Sequence, residues 1–392
     1  MDFDRIIDRR DSLSMKWEDM EALYGVSPDD GIAMWVADTD FASPDCVQNA
    51  VRKMLDHGVY GYTGRRADEE YRAAICWWME NRHGWRVEPN AIFTATGLGN
   101  GVGMVLDAYT NPGDGVVLFT PVYHSFARIT RAAGRKVVEC PMVIENGRYK
   151  MNFDAYDEIL DGSEKLVIFC SPHNPGGMVW SVDDQKQVVD FCRKHNLLLV
   201  SDEIHHDLVY PGHKHVAMPN AVPDCDDILI MLTAPSKTFN IAGTHTGNVI
   251  IPNAKLRAAY AERSTAINLS TNSFGVAMTT AAYSPEGAAW VDELMVYLDG
   301  NRKAFEDGIA AIPGATPMSM EATYLSWVDF SGTGMSDTEI KDRIFRQAQV
   351  APNYGETFGT GGETFMRFNL GTQRSRINEA VARLQDAFKD LQ

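Results

Sequence analysis

Lys237 sits in the segment Thr233-Ala-Pro-Ser-Lys237-Thr-Phe-Asn240, shortly after the apolar run Ile228-Leu-Ile-Met231. A lysine at a strand end among small and hydroxylated residues loses solvation, which frees its amine to attack a carbonyl. Taken alone, a surface lysine in a polar loop is the better reading. Other segments change that balance. Asp202 closes the run Leu197-Leu-Leu-Val-Ser-Asp202. A carboxylate just past a buried strand needs a cation or donors nearby, or else it caps a helix. Asn174 lies in Cys170-Ser-Pro-His-Asn-Pro-Gly-Gly177, where its amide is either a donor to a ligand or an ordinary turn residue. Gly97-Leu98-Gly99-Asn100-Gly101 follows Ile92-Phe93-Thr94 and opens a helical stretch. Backbone N–H groups at such a start hold phosphate well. A dinucleotide fingerprint fails on spacing, because Gly97-x-Gly99-x-x reaches Val102. Tyr123, in Thr120-Pro-Val-Tyr123, offers a flat ring for stacking or simply a core aromatic.

A carbonyl-trapping lysine, an acid, an amide donor, an anion cradle and a flat ring are together what pyridoxal phosphate (PLP) asks of a protein. Lys237 would hold the aldehyde, Asp202 the protonated pyridine nitrogen, and Asn174 the ring oxygen. Tyr123 would cover one ring face. Gly97, Leu98 and Gly99 would bind the phosphate, helped by the hydroxyls of Thr233 and Ser236. Four of these groups fall directly after expected strands, where open α/β sheets gather ligand-binding residues. His205, His206, His213 and His215 match no standard zinc spacing, so no metal is expected.

The elements that must position these groups are legible in outline. Val116–Phe119, Leu166–Phe169, Leu197–Val200 and Ile228–Met231 are continuous apolar runs, which suit strands covered on both faces in a mostly parallel sheet. Ser43-Pro44-Asp45 predicts a helix start running to about His57, and a second helix is expected from about Asp68 to His83. Helices dominate after residue 280, with a strand at Tyr324–Val328 and turns at Ser331–Gly334 and Gly359–Gly362. With 392 residues the chain suits one large α/β domain plus a smaller α+β domain built from both chain ends. A net charge of −17 without a basic stripe disfavours nucleic acid as a partner. No apolar run has the length of a membrane span, and the N-terminus lacks a signal-peptide layout. The six cysteines are scattered without a Cys-x-x-Cys pair, which fits free thiols in a cytoplasmic protein.

Further landmarks lie in Met34-Trp-Val-Ala-Asp-Thr-Asp-Phe41, Tyr60-Gly-Tyr62-Thr, Ser201-Asp-Glu-Ile-His-His-Asp207, Ser236-Lys-Thr-Phe-Asn-Ile-Ala-Gly243, Ala322–Phe330 and Phe365-Met-Arg-Phe-Asn-Leu370. With them the chain resembles the aspartate-aminotransferase superfamily (fold type I PLP enzymes), and within it the MalY/PatB branch of cystathionine β-lyases, or C–S lyases. The resemblance implies a large PLP-binding domain over 49–282, with a sheet of the seven-stranded type between helices. Residues 1–48 and 283–392 would form the small domain. It implies Lys237 as the Schiff-base lysine, Asp202 on the pyridine nitrogen, Asn174 and His205 facing the ring oxygen, and Tyr123 stacked on the ring. Arg367 would clamp the substrate carboxylate, a two-pronged task suited to guanidinium. Ala37 would lie in the loop that closes over it. Tyr62 would reach the phosphate of a neighbouring subunit, making the enzyme a homodimer. The implied activity on small amino-acid substrates is β-elimination from cystathionine or related cysteine conjugates, with transamination to a 2-oxo acid as the alternative. The chain departs from the branch in its glycine-rich phosphate loop, at Thr39, in Gly243-Thr-His245-Thr-Gly247 and in Ala351-Pro-Asn-Tyr-Gly355.

Overall fold

The structure is a computed structural model that describes residues 1–391. Seven strands form the main sheet: β1 (Ile92–Ala95), β2 (Gly115–Thr120), β3 (Lys136–Pro141), β4 (Glu164–Cys170), β5 (Leu198–Asp202), β6 (Leu229–Thr233) and β7 (Gly247–Ile250). Their spatial order is β1-β7-β6-β5-β4-β2-β3. The neighbours from β6 through β3 pair in parallel. Only β7 runs against its neighbours, β1 and β6. The strands are continuously apolar because both faces are covered. Val116 and Leu118 of β2 pack in one cluster with Leu98 and Val102, while Val117 and Phe119 pack in another with Val188 and Phe191.

Nine helices matter for the architecture: α1 (Asp45–His57), α2 (Arg65–His83), α3 (Leu98–Tyr109), α4 (Ser125–Ala132), α5 (Val182–Lys194), α6 (Ala254–Ala266), α7 (Ser273–Ala282), α8 (Pro285–Ala310) and α9 (Arg374–Ala387). The expected first helix is present but starts one residue later, since Pro44 is extended and no side chain caps the end. The second begins at Arg65, three residues earlier than expected. Four short strands, β8 (Thr316–Pro317), β9 (Leu325–Asp329), β10 (Asn353–Tyr354) and β11 (Phe365–Asn369), make an antiparallel sheet ordered β8-β9-β11-β10. The N-terminal segment joins this half through the parallel pairing of Ile32–Ala33 with Val350–Ala351. Segments near the two chain ends are therefore hydrogen-bonded to each other. Among the described residues, no helix is long and apolar enough to cross a membrane.

Candidate active site

The parallel strands place their carboxyl ends side by side, and one cavity opens there. It is lined by Tyr123 after β2, Cys170 and Asn174 at the end of β4, and Asp202 and His205 at the end of β5. Ser236 and Lys237 follow β6, and Gly97, Leu98 and Gly99 stand where β1 turns into α3. Ala37 closes the cavity from the N-terminal strap. Thus residues scattered over 200 positions of sequence share one space.

Lys237 Nζ donates to the Ala37 carbonyl at 2.7 Å, and the Tyr324 hydroxyl donates to the same oxygen at 3.1 Å. The strap bearing Ala37 is tied down by Asp40, which accepts from Lys16 Nζ (3.1 Å), Trp17 Nε1 (3.2 Å) and Arg9 Nη1 (3.0 Å). Asp202 pairs across the sheet with Cys170 and accepts the Ile204 N–H at 3.1 Å. Burial pushes its carboxyl up to about 7, outweighing the Ile204 N–H and the nearby Lys237 ammonium, which both favour the ion. His205 is also buried, its Nδ1 has no partner, and burial drives its pKa down to about 3. The ring is neutral and free to bond a ligand oxygen.

Arg367, on β11, reaches under the cavity from the small sheet. Its Nη1 donates to Asn174 Oδ1 at 2.9 Å and its Nη2 to the Trp35 carbonyl at 2.9 Å and to Asn353 Oδ1. With its oxygen so occupied, the Asn174 amide presents its NH₂ as a donor toward the cavity. Burial lowers the Arg367 pKa to about 10, and Nε lacks a partner. The guanidinium remains charged at neutral pH and still has a donor for an anion. Phe358 packs against it, with the guanidinium carbon 4.9 Å from the ring centre.

Gly97 takes φ +81°, a backbone region that L side chains rarely adopt, and immediately precedes α3. This turn points the first N–H groups of α3 into open space as an anion cradle. His245 lies beside it: a Cβ on Gly97 would come within 3.9 Å of His245 Nδ1.

One expectation needs correction. Thr233 does not line the cavity. It continues the face of β6 that carries Met231, and its hydroxyl accepts from Asn248 Nδ2 at 3.2 Å. Thr246 lines the cavity instead. Tyr62, expected to serve a neighbouring subunit, lies fully exposed in the loop between α1 and α2. Sequence reasoning missed Cys170, Ile204, Phe126, Ile129, Ala242 and Thr246 as lining residues. Cys170 alone had a usable signal, its place at the end of a strand beside that of Asp202.

The histidines singled out in the sequence do not form a ligand set. Among the described residues, His83, His206 and Asp207 are the group whose ligand atoms lie within 4.8 Å of one another. The two rings stack at 4.0 Å with 20° between their planes. A metal ion lies near the plane of each imidazole it binds, so stacked rings are poorly placed to share one.

The chain belongs to the aminotransferase class I and II family, whose model matches residues 32–384. Within that family it falls in the branch of cystathionine β-lyase PatB from Bacillus subtilis, with which it is 38% identical over 99% of its length and all of PatB. Two solved structures share the fold over nearly their whole length. Cystalysin from Treponema denticola, which contains pyridoxal 5′-phosphate, has a TM-score of 0.93 and 34% identity, covering 100% of this chain and 99% of that one. The PLP-bound C–S lyase from Staphylococcus hominis has a TM-score of 0.90 and 30% identity, with coverages of 99% and 98%.

Proposed function

We propose that this chain is a PLP-dependent C–S β-lyase that cleaves cystathionine or related cysteine conjugates to a thiol, pyruvate and ammonia. The observation that carries the reading is the meeting of Lys237, Asp202, Asn174 and the Gly97–Gly99 turn at one cavity. The full-length similarity to C–S lyases selects elimination over transamination. The cavity suits PLP on its own evidence: a buried acid whose carboxyl burial holds near 7, an unpartnered imidazole nitrogen and a cradle at a helix start.

When bound, PLP supplies an aldehyde for the substrate amine and a ring that accepts electrons. Lys237 Nζ holds the aldehyde at rest and is the base that takes the proton from the substrate α-carbon. Asp202 would be ionised beside a pyridinium nitrogen and would keep its proton in place. Asn174 and His205 would bond the ring oxygen, Tyr123 would cover the ring, and Ser236 would join Gly97, Leu98 and Gly99 at the phosphate. Arg367 binds the substrate carboxylate and so fixes the α-carbon before Lys237. A thiol leaving group has a pKa of about 8.5, so it departs as thiolate with little acid help.

The same reading divides the chain into a large unit over 49–282 and a smaller one from 1–48 and 283–392. It also makes the enzyme a homodimer in which Tyr62 serves the neighbouring site. Val59 and Tyr60, exposed beside Tyr62, suit burial against a second copy. Six free cysteines, four of them buried, fit work in the cytoplasm. The test is simple: purified enzyme with cystathionine should release pyruvate and a thiol with no oxo acid added. Strict dependence on a 2-oxo acid would overturn elimination in favour of transamination.

A further inference from the structure

Behind the cavity lies a buried carboxylate that the proposed chemistry does not use. Asp207 follows β5 by five residues, and its side chain is wholly inaccessible. Oδ1 accepts from Trp78 Nε1 at 3.0 Å and His83 Nε2 at 2.8 Å, both on α2. Oδ2 accepts from Thr238 Oγ1 at 2.8 Å. Burial alone would raise the carboxyl's pKa, but His206, His83 and Thr238 hold it below the usual range. The ion is therefore present, and its partners are fixed by the cost of leaving a buried charge unpaired.

Thr238 is the residue after Lys237, and the turn that carries both has few bonds of its own. Phe239 N–H reaches the Pro235 carbonyl, and Ile241 N–H reaches that of Ser236. On the far side, Asn240 is clamped to the strap, accepting from Thr39 N and donating to the carbonyls of Thr39 and Phe41. On the near side, the Thr238 hydroxyl on Asp207 ties the turn to α2 and to the exit of β5, where Asp202 and His205 stand.

We propose that Asp207 is a positioning residue for Lys237, acting through the Thr238 hydroxyl to hold the ε-amine in line with the ring-facing Asp202. The idea rests on Lys237 being the cofactor lysine. An ionised acceptor makes this a charge-assisted bond, stiffer than one between neutral groups. Removing it frees the turn on one side only, so substrate binding through Arg367 is left intact while the placement of the base is lost.

Thr238→Val keeps the shape and deletes the hydroxyl. It is expected to lower kcat about tenfold with KM within about twofold, the size a small misplacement of a reacting group produces. It should also shift, by about half a pH unit or more, the pH midpoint of the absorbance band that PLP acquires on Lys237. Thr238→Ser should restore both. Asp207→Asn should move the same midpoint in whatever fraction folds. A Thr238→Val protein with a lower melting temperature but unchanged kcat and band midpoint would overturn the proposal and leave Asp207 a purely structural anchor. Lys237→Ala run in parallel separates the two readings. If it keeps the band, the lysine assignment fails; if it loses the band while Thr238→Val behaves as wild type, only the positioning role fails.

Discussion

Asp202→Asn should make the cofactor-free protein more stable, and increasingly so as pH rises. In the folded chain without PLP, burial holds the Asp202 carboxyl at about 7 against an ordinary value of 3.8. Because the folded value is the higher one, the folded state binds the extra proton between about pH 4 and pH 7. Stability is thus greatest at low pH and falls as pH rises through that window. At about 1.4 kcal/mol per pH unit, burying Asp202 destabilises the fold by about 1.6 kcal/mol at pH 5, where it stays protonated, and by about 4 kcal/mol at pH 8, where it is ionised. Asparagine carries no charge and can still accept the Ile204 N–H through its amide oxygen. The stability gap between variant and wild type should therefore widen by roughly 2.5 kcal/mol from pH 5 to pH 8. Urea unfolding of both apoproteins across that range measures it, since all other titrating groups cancel in the difference. Adding PLP should reverse the order at pH 8, because the pyridinium proton offsets the carboxylate in the wild type alone. A gap that stays flat with pH, or a wild-type apoprotein that is the more stable at pH 8, would refute the reasoning.

Arg367→Lys should raise KM about thirtyfold or more, as an ammonium cannot keep the bonds to Asn174, Trp35 and Asn353 and still face the substrate carboxylate; unchanged steady-state kinetics would remove Arg367 from substrate binding. Thr233→Val should leave PLP affinity within about twofold because Thr233 bonds Asn248, whereas Ser236→Ala should weaken it about fivefold or more; equilibrium titration of the apoproteins with PLP compares them. Mixing inactive Tyr62→Ala and Lys237→Ala subunits should restore activity, since each hybrid dimer contains one site with an intact lysine and an intact partner tyrosine. No recovery in exchanged hybrids would contradict the shared site.

Much of this was legible in the sequence because the strands are buried on both faces. Runs such as Leu166–Phe169 have no polar alternation to confuse them, and the chemistry follows their ends. Lys237, Asp202 and Asn174 each stand within a few residues of such an end. The failures are also physical. Thr233 closes a strand, and the two-residue period of the pleat turns its side chain to the face of Met231 and to Asn248 rather than the cavity. The antiparallel β7, Gly247–Ile250, carries no such run, since Gly247 and Asn248 make up half of it. His83 and Asp207 lie 124 residues apart, and only the folded chain brings them together. The short strands β8 and β10 owe their existence to β9 and β11 rather than to any pattern of their own.

The central claim is that one lysine carries the cofactor. Reducing the PLP-loaded enzyme with borohydride and locating the pyridoxyl group by peptide mass spectrometry tests it without reference to activity. The label is expected on Lys237 alone; a label on any other lysine, with Lys237 unmodified, would contradict the account.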